Sequence, residues 1–424
     1  MLTMQRASWE QGVAAQALLE YEHYVARYPK QDLLPKLQVD PMVYLYGMAH
    51  EACLRASVDG RLATRVNSDD EGSDGGALDP ACVGEAGIFV LEHILASSDS
   101  TAEPMRKAID DMMNYLLVKA PRMEIREGDI PENLLPKDHD QGVLSHTKSH
   151  KNPQLWIDGV YMAPTFMVSY ALSDLERFEG ADSTQRTSWW QYLDSALDQV
   201  ILYFHFLRLP SGLLGHIYDC NARAFSVDIR PGMNGSKAWG VGNGWALGSI
   251  VRILNALDRF FEQRCTQETT VRTAFLRWLE KVDTSKRLGS VAGLLTYTLP
   301  IILSYNDLTS TEGLFHNIID DPSTFVETNL AQMISATIFR LLQLLKNGSL
   351  VKRYFSDLDD AWKEIMAAKA ESLRNSAVAK VDKWGMVRGT CSSPRFDRPG
   401  TATEGQAWAI LMEVGRAEFI MASS

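Results

Sequence analysis

Gly142-Val-Leu-Ser-His146 returns 70 positions later as Gly212-Leu-Leu-Gly-His216: a glycine, two aliphatic residues, any residue and a histidine. Gly313-Leu-Phe-His316 and Gly385-Met-Val-Arg388 are looser copies, 72 positions apart. A period near 70 fits two helices plus a long connector, and about six such units fit within 424 residues. Stacked helical hairpins at that count form either a solenoid or a closed toroid. The repeated connectors would then gather at one end and, in a toroid, surround a shared cavity.

The segments between the connectors read as helices. WEQGVAAQALLEYEHY (9–24) places Val13, Ala14, Ala17, Leu18 and Tyr21 at the three-four spacing of an amphipathic helix. Similar patterns recur near 41–57, 84–97, 102–119, 159–177, 188–207, 245–262, 269–283, 325–347, 355–375 and 403–421. The run LGSVAGLLTYTLPIIL (288–303) is ambiguous, and Pro300 is expected to end or kink it. Polar or Gly-rich connectors fall at 65–80, 122–153, 208–240, 305–324 and 380–402, several long enough to carry function. These features predict one all-α domain over 1–424.

Composition excludes some roles. A net charge of −11 and a pI near 5.4 argue against a nucleic-acid partner or an anionic membrane surface. The five cysteines are scattered without a CxxC pair, as expected of reduced thiols rather than of disulfides or a zinc site. No apolar run is expected to span a membrane. MLTMQRASWEQG lacks a signal-peptide core, which leaves cytoplasmic and secreted locations, and the oligomeric state, open.

The candidate chemistry sits in the connectors. In Gln154–Pro164, QLWIDGVYMAP, a single carboxylate, Asp158, lies among apolar residues. Asp before a helix is ordinarily a cap, and the same holds for Asp79 in LDPACVGEAG. Two such carboxylates meeting in a cavity can instead divide acid and base roles. Trp156, Trp239 and Trp245 lie in or beside the connectors and offer indole faces to a sugar ring, although a Trp is more often core. The GVGNG run around Asn243 lacks the GxGxxG spacing of a phosphate cradle. His146 and His216 could bind a carboxylate or orient water, the bland alternative being solvated loop histidines. Asp357-Leu-Asp-Asp360 matches the DxDD pattern of helical-toroid cyclases, but acidic residues also suit a helix start. Asp69-Asp70-Glu71 and Asp320-Asp321 read as loop charge. No His/Cys cluster has metal-ligand spacing, so neither a metal nor another cofactor is expected.

Taken in order, WEQG (9–12), LDPACVG (78–84), GVLSH (142–146), QLWIDGVYMAP (154–164), GLLGHIYD (212–219), AWGVGNGWA (238–246), EGLFHNIIDDP (312–322) and TEGQAWAILM (403–412) resemble the unsaturated uronyl hydrolases. These are glycoside hydrolase families 88 and 105, and the likeness is to the unsaturated rhamnogalacturonyl hydrolases of fungal type. The resemblance implies an (α/α)6 barrel of six helical hairpins, acting on a small oligosaccharide. It implies hydration of the C4=C5 double bond of a 4,5-unsaturated uronic acid left by a polysaccharide lyase. Asp158 would be acid and then base, and Asp79 the second essential carboxylate. The stacking tryptophans would be Trp156, Trp239 and Trp245 and the pocket histidine His216; His146, Lys237 and Asn243 are further candidates to line the substrate pocket.

One position departs from that family: its WGRGNGW motif carries Arg where this chain has Val241. Arg suits a two-pronged grip on a uronate carboxylate, and Val cannot provide it. Lys237, Lys148, Arg223 or the two histidines could substitute. Alternatively, the barrel serves another proton-triggered reaction, such as cyclisation or hydration of a non-sugar metabolite.

Overall fold

The computed structural model describes residues 8–63, 76–95, 99–139, 142–177, 189–227, 235–263, 265, 269–308, 312–348, 350–392 and 395–423. Asp69-Asp70-Glu71 lies outside them. Six helices form an inner ring: α1 (Ser8–Arg27), α3 (Gly84–His93), α5 (Gly159–Arg177), α7 (Gly240–Gln263), α10 (Asn329–Asn347) and α12 (Thr403–Ser423). Each packs on the next, and α12 returns to α1, which closes the ring. Trp9 at the start of α1 donates its indole N–H to Glu404 at the start of α12, 2.7 Å away. The chain is an (α/α)6 barrel.

Burial separates the two layers. Every residue of α10 from Asn329 to Leu345 is buried, so this helix is enclosed on all sides. On the outside lie α2 (Pro41–Leu54), α4 (Ala102–Asn114), α6 (Trp189–Leu207), the short α8 (Thr269–Leu279), α9 (Val282–Leu308) and α11 (Asp360–Val378). In α11 only Ala370, Leu373 and Ala377 are buried, one narrow stripe. Its start settles the DxDD motif. Asp359 caps the amide of Trp362 at 2.7 Å, and the exposed Asp360 pairs with Lys363. These are the acids of a solvated helix start.

Helix α9 departs from two expectations. It runs through Pro300 to Leu308, because Pro300 is exposed and the carbonyl it leaves unbonded can face water. Its stretch Val282–Asn306 is also long and apolar enough to cross a membrane, with mean hydropathy 1.4. Here that apolar face packs on α6 and α7 instead. Arg287 within it is buried and bonds Asp198 at 2.7 Å, as suits an outer-layer helix of the barrel.

At the N-terminal ends of the inner helices the connectors form short antiparallel pairs. β1 (Arg122–Glu124) joins β2 (Gly142–Leu144), and β3 (Gln154–Trp156) joins β4 (Ile217–Asp219), which also takes β5 (Ala224–Phe225). β6 (Phe315–His316) joins β7 (Val326–Glu327), and β8 (Thr390–Ser392) joins β9 (Arg395–Gly400). The repeated glycines acquire a reason. Gly212, Gly313 and Gly385 have φ of +86°, +81° and +77°, a turn geometry that other residues resist. Gly142 differs: it lies in β2, where a Cβ would press on Arg122.

The barrel interior holds a charge network. Glu20 bonds Arg252, Arg259 and Arg340 at 3.1, 2.8 and 2.8 Å; Arg252 also bonds Glu85, and Arg340 pairs with Glu418. Three guanidiniums hold the Glu20 carboxyl well below the usual carboxylate range against the opposing effect of burial.

Candidate active site

Backbone hydrogen bonds stitch the connectors edge to edge around one mouth of the barrel. Ala77 donates to the carbonyl of His146, His146 to Gln154, Ile157 to His216, and Gly240 to Asn317. Each bond fixes a connector immediately before an inner helix, so side chains far apart in sequence converge. Gly12 permits this on the α1 side: a Cβ there would strike Cys82 at 2.6 Å, beneath the turn carrying Asp79.

Asp79, His146 and Asp158 meet at the centre. His146 Nε2 lies 3.6 Å from Asp79 Oδ2, and its Nδ1 lies 3.9 Å from Asp158 Oδ1. Asp79 opens a buried turn, Asp79–Val83, before α3. Asp158 immediately precedes α5, and its backbone carbonyl accepts from Tyr161 and Met162 in the first turn. Its carboxylate is not used as a cap. Oδ1 is buried with no hydrogen-bond partner among the described residues, which leaves it available for chemistry.

Aromatic rings continue from this centre. His146 stacks on Trp156 at 4.7 Å and 10°, Trp156 meets His216 edge-on at 5.6 Å, and His216 lies 4.4 Å from Trp239. Phe396, from β9, closes on Trp239 at 5.8 Å. Trp156 is half-buried and anchored by its own strand, its indole N–H donating to Gln154 Oε1 at 2.9 Å. The His216 imidazole is pushed down to about 3, chiefly by burial and secondarily by His146, so it stays neutral in ordinary buffers. The mouth therefore offers two carboxylates, two imidazoles and two indoles: proton-transfer groups beside flat apolar faces.

Three expected pocket residues are placed otherwise. Trp245 lies in the barrel interior against Tyr161 at 4.6 Å and Trp408 at 5.5 Å, a core contact. Asn243 is fully buried and clamps the backbone of Leu214 through both amide atoms, at 3.0 and 2.9 Å, bracing the loop of His216. Lys237 is mostly exposed, with its amine 3.8 Å from Asp321. The glycines of GVGNG are helical. Helix α7 begins at Gly240, five residues before the expected 245, and its Gly242 and Gly244 admit Ile157 and Met333 at distances no Cβ would allow. Val241, in the same turn, is 3% exposed.

Some neighbours carried no sequence signal. Tyr203 of α6 bonds the carbonyl of Leu144 at 2.7 Å, and its hydroxyl lies 2.6 Å from where a Cβ on Gly159 would stand, directly beside Asp158. It reads in the sequence as one more aromatic of an apolar helix. Glu327 accepts from the amides of Asn329, Leu330 and Cys391, and burial pushes it up to about 7. A separate cavity of 610 Å³ is lined by α1 from Leu19, α3 from Glu85, α5 from Thr165 and α7 from Arg252, and by neither Asp79 nor Asp158. Its Glu20 and Arg252 are already paired with one another.

The fold has relatives. A possible member of glycoside hydrolase family 105 from Salmonella enterica serovar Paratyphi A superposes with a TM-score of 0.60 at 14% identity, covering 96% of this chain and 82% of that one. A family 105 glycoside hydrolase from C. acetobutylicum gives 0.59 at 14% identity, over 98% and 95%. An unsaturated glucuronyl hydrolase from Bacillus sp. GL1 gives 0.51 at 12% identity, over 95% and 84%. At these identities the likeness is one of fold. A search of the curated proteins found no match. The model of Glycosyl Hydrolase Family 88 matches residues 3–386, and the chain belongs to that family of enzymes.

Proposed function

We propose that this glycoside hydrolase acts on 4,5-unsaturated uronyl oligosaccharides, with Asp158 as general acid and then general base. The observation that carries the reading is the buried, unbonded Oδ1 of Asp158 at the foot of an aromatic-lined mouth, facing Asp79 across His146. A protonated Asp158 delivers its proton to C4 of the enol ether. The positive charge that develops at C5 is shared with the ring oxygen and balanced by the neighbouring carboxylates. Asp158, now ionised, takes a proton from the water that adds to C5. The resulting hemiketal opens, the anomeric carbon becomes a hemiacetal, and the linked sugar leaves as an alcohol. Trp156 and Trp239 supply the flat faces against which a sugar ring stacks, and neutral His216 a hydrogen-bonding nitrogen at the wall.

The rhamnogalacturonyl and glucuronyl alternatives differ in the sugar beyond the scissile bond, and Val241 leaves the uronate carboxylate to be met by imidazole and backbone donors. The experiment is direct. Lyase-digested pectin and lyase-digested glucuronan are incubated with the protein while the ultraviolet absorbance of the conjugated enol-ether acid is followed. Loss of absorbance on either supports the reading and names the preferred sugar. Stable absorbance on both, with folded protein, rejects it.

A further inference from the structure

Asp79, His146 and Asp158 have a second chemical meaning. One ligand atom from each lies within 4.8 Å of the others. Zinc bonds to nitrogen and oxygen at about 2.0–2.2 Å, which sets tetrahedral ligand atoms roughly 3.4 Å apart. The observed 3.6 Å between His146 Nε2 and Asp79 Oδ2 is close to that spacing. Asp158 would approach by a rotation of its side chain. Two carboxylates balance a divalent charge, and the single imidazole favours zinc, cobalt or nickel over magnesium or calcium. Three protein ligands leave a fourth position for water. The donors come from two connectors, Asp79 from the one before α3 and His146 and Asp158 from the one before α5, tied by the bonds Ala77 to His146 and His146 to Gln154, so the set is held by backbone. His216, 3% exposed, stands beside Trp156 with an Nδ1 that no described residue bonds, a further nitrogen at the wall.

We infer that this pocket binds one divalent transition-metal ion of the zinc class, and that the bound ion switches the hydrolase off. Ligands of such an ion must be deprotonated. Asp158 bound to metal therefore holds no proton for C4, and the ion fills the space between the two carboxylates. The binding half of the inference stands on geometry alone; the inhibitory half rests on the function proposed above.

The test uses the full chain, stripped with a chelator and titrated with cobalt(II) while its visible absorption is recorded. One equivalent per chain should give a low-coordinate cobalt spectrum, displaced by zinc and not by magnesium. Asp79→Asn and His146→Gln should each weaken cobalt binding at least 10-fold, whereas His50→Gln, on outer helix α2, should not. Circular dichroism melts establish that the variants fold, and Asp158→Asn serves if either does not. No cobalt spectrum at millimolar metal, or an unchanged spectrum in the folded pocket variants, overturns the site. Turnover of an unsaturated uronate should fall with zinc at the midpoint of binding and return with chelator. Turnover that persists with the site saturated overturns the switch. A cobalt site in a protein that turns over no unsaturated uronate overturns the switch and the proposed function together, and leaves the metal site standing.

Discussion

The imidazole of His146 lies flat on the indole of Trp156, ring centroids 4.7 Å apart and planes 10° from parallel. That stack fixes the imidazole plane, so its two nitrogens point to two different carboxylates. A rotated ring would face one of them at most.

Asp158→Asn should fold as the parent does, because the carboxylate caps nothing in α5, and should lower turnover at least ~100-fold, the scale of a lost general acid–base. Thermal melting and steady-state rates on the unsaturated substrate measure both. Retained activity would demote Asp158 to a structural residue.

Two of the three tryptophans expected to bind sugar should separate. Trp156→Ala should raise KM with little change in melting temperature. Trp245→Ala, which empties a core site between Tyr161 and Trp408, should cost about 3–5 kcal/mol of stability. Denaturant unfolding and Michaelis kinetics on the same preparations distinguish them.

Acid should destabilise the fold through His216. The unfolded imidazole takes a proton below about 6.5, while the folded one resists down to about 3. The unfolded state therefore binds more protons in that window. Stability is fully present above 6.5 and falls as pH drops toward 3, by at most about 1.4 kcal/mol per unit. His23, also held near 3 chiefly by burial, adds in the same direction. The melting temperature of His216→Gln should fall less between pH 7 and pH 4.5 than that of the parent.

Glu20→Gln should destabilise by about 3–5 kcal/mol, since it leaves Arg252, Arg259 and Arg340 short of a shared buried counter-ion. Chemical denaturation reads the loss. A change below 1 kcal/mol, roughly the value of an exposed pair, would mean that water reaches these guanidiniums.

Val241→Arg should raise kcat/KM on an unsaturated uronate about 10-fold or more, the value of one charged hydrogen bond to the substrate carboxylate. Val241 is almost wholly buried beside Trp239, so the gain requires the guanidinium to reach the mouth. A lowered melting temperature with no kinetic gain would show that it cannot.

Much of this was legible in the chain. The period near 70 marked stacked helical hairpins and left solenoid or toroid open until the family resemblance pointed to the barrel, and the apolar spacing of 159–177 marked the full length of α5, because an enclosed helix must be apolar at regular intervals. The repeated Gly-aliphatic-His loops marked where His146 and His216 would meet. Spacing could not say which way Trp245 and Asn243 point: both belong to a motif whose first residues face the mouth, and a helix turns its next residues inward. Tyr203 was invisible for a related reason. It reaches the site from the outer layer, across a helix pair that only the fold brings together. In α9, the apolar length of a membrane span and the outer wall of a barrel look alike until Arg287 finds Asp198.

The bond from Trp9 to Glu404 joins residues 395 positions apart. During synthesis α1 leaves the ribosome long before α12 exists, so its apolar face must wait for its last neighbour. Contacts so distant in sequence slow folding and prolong the exposure of unfinished surface. Because the connectors are stitched around the same mouth that this bond completes, catalytic competence should arrive only with the final helix. A nascent chain halted before Thr403 would carry both aspartates and still be silent.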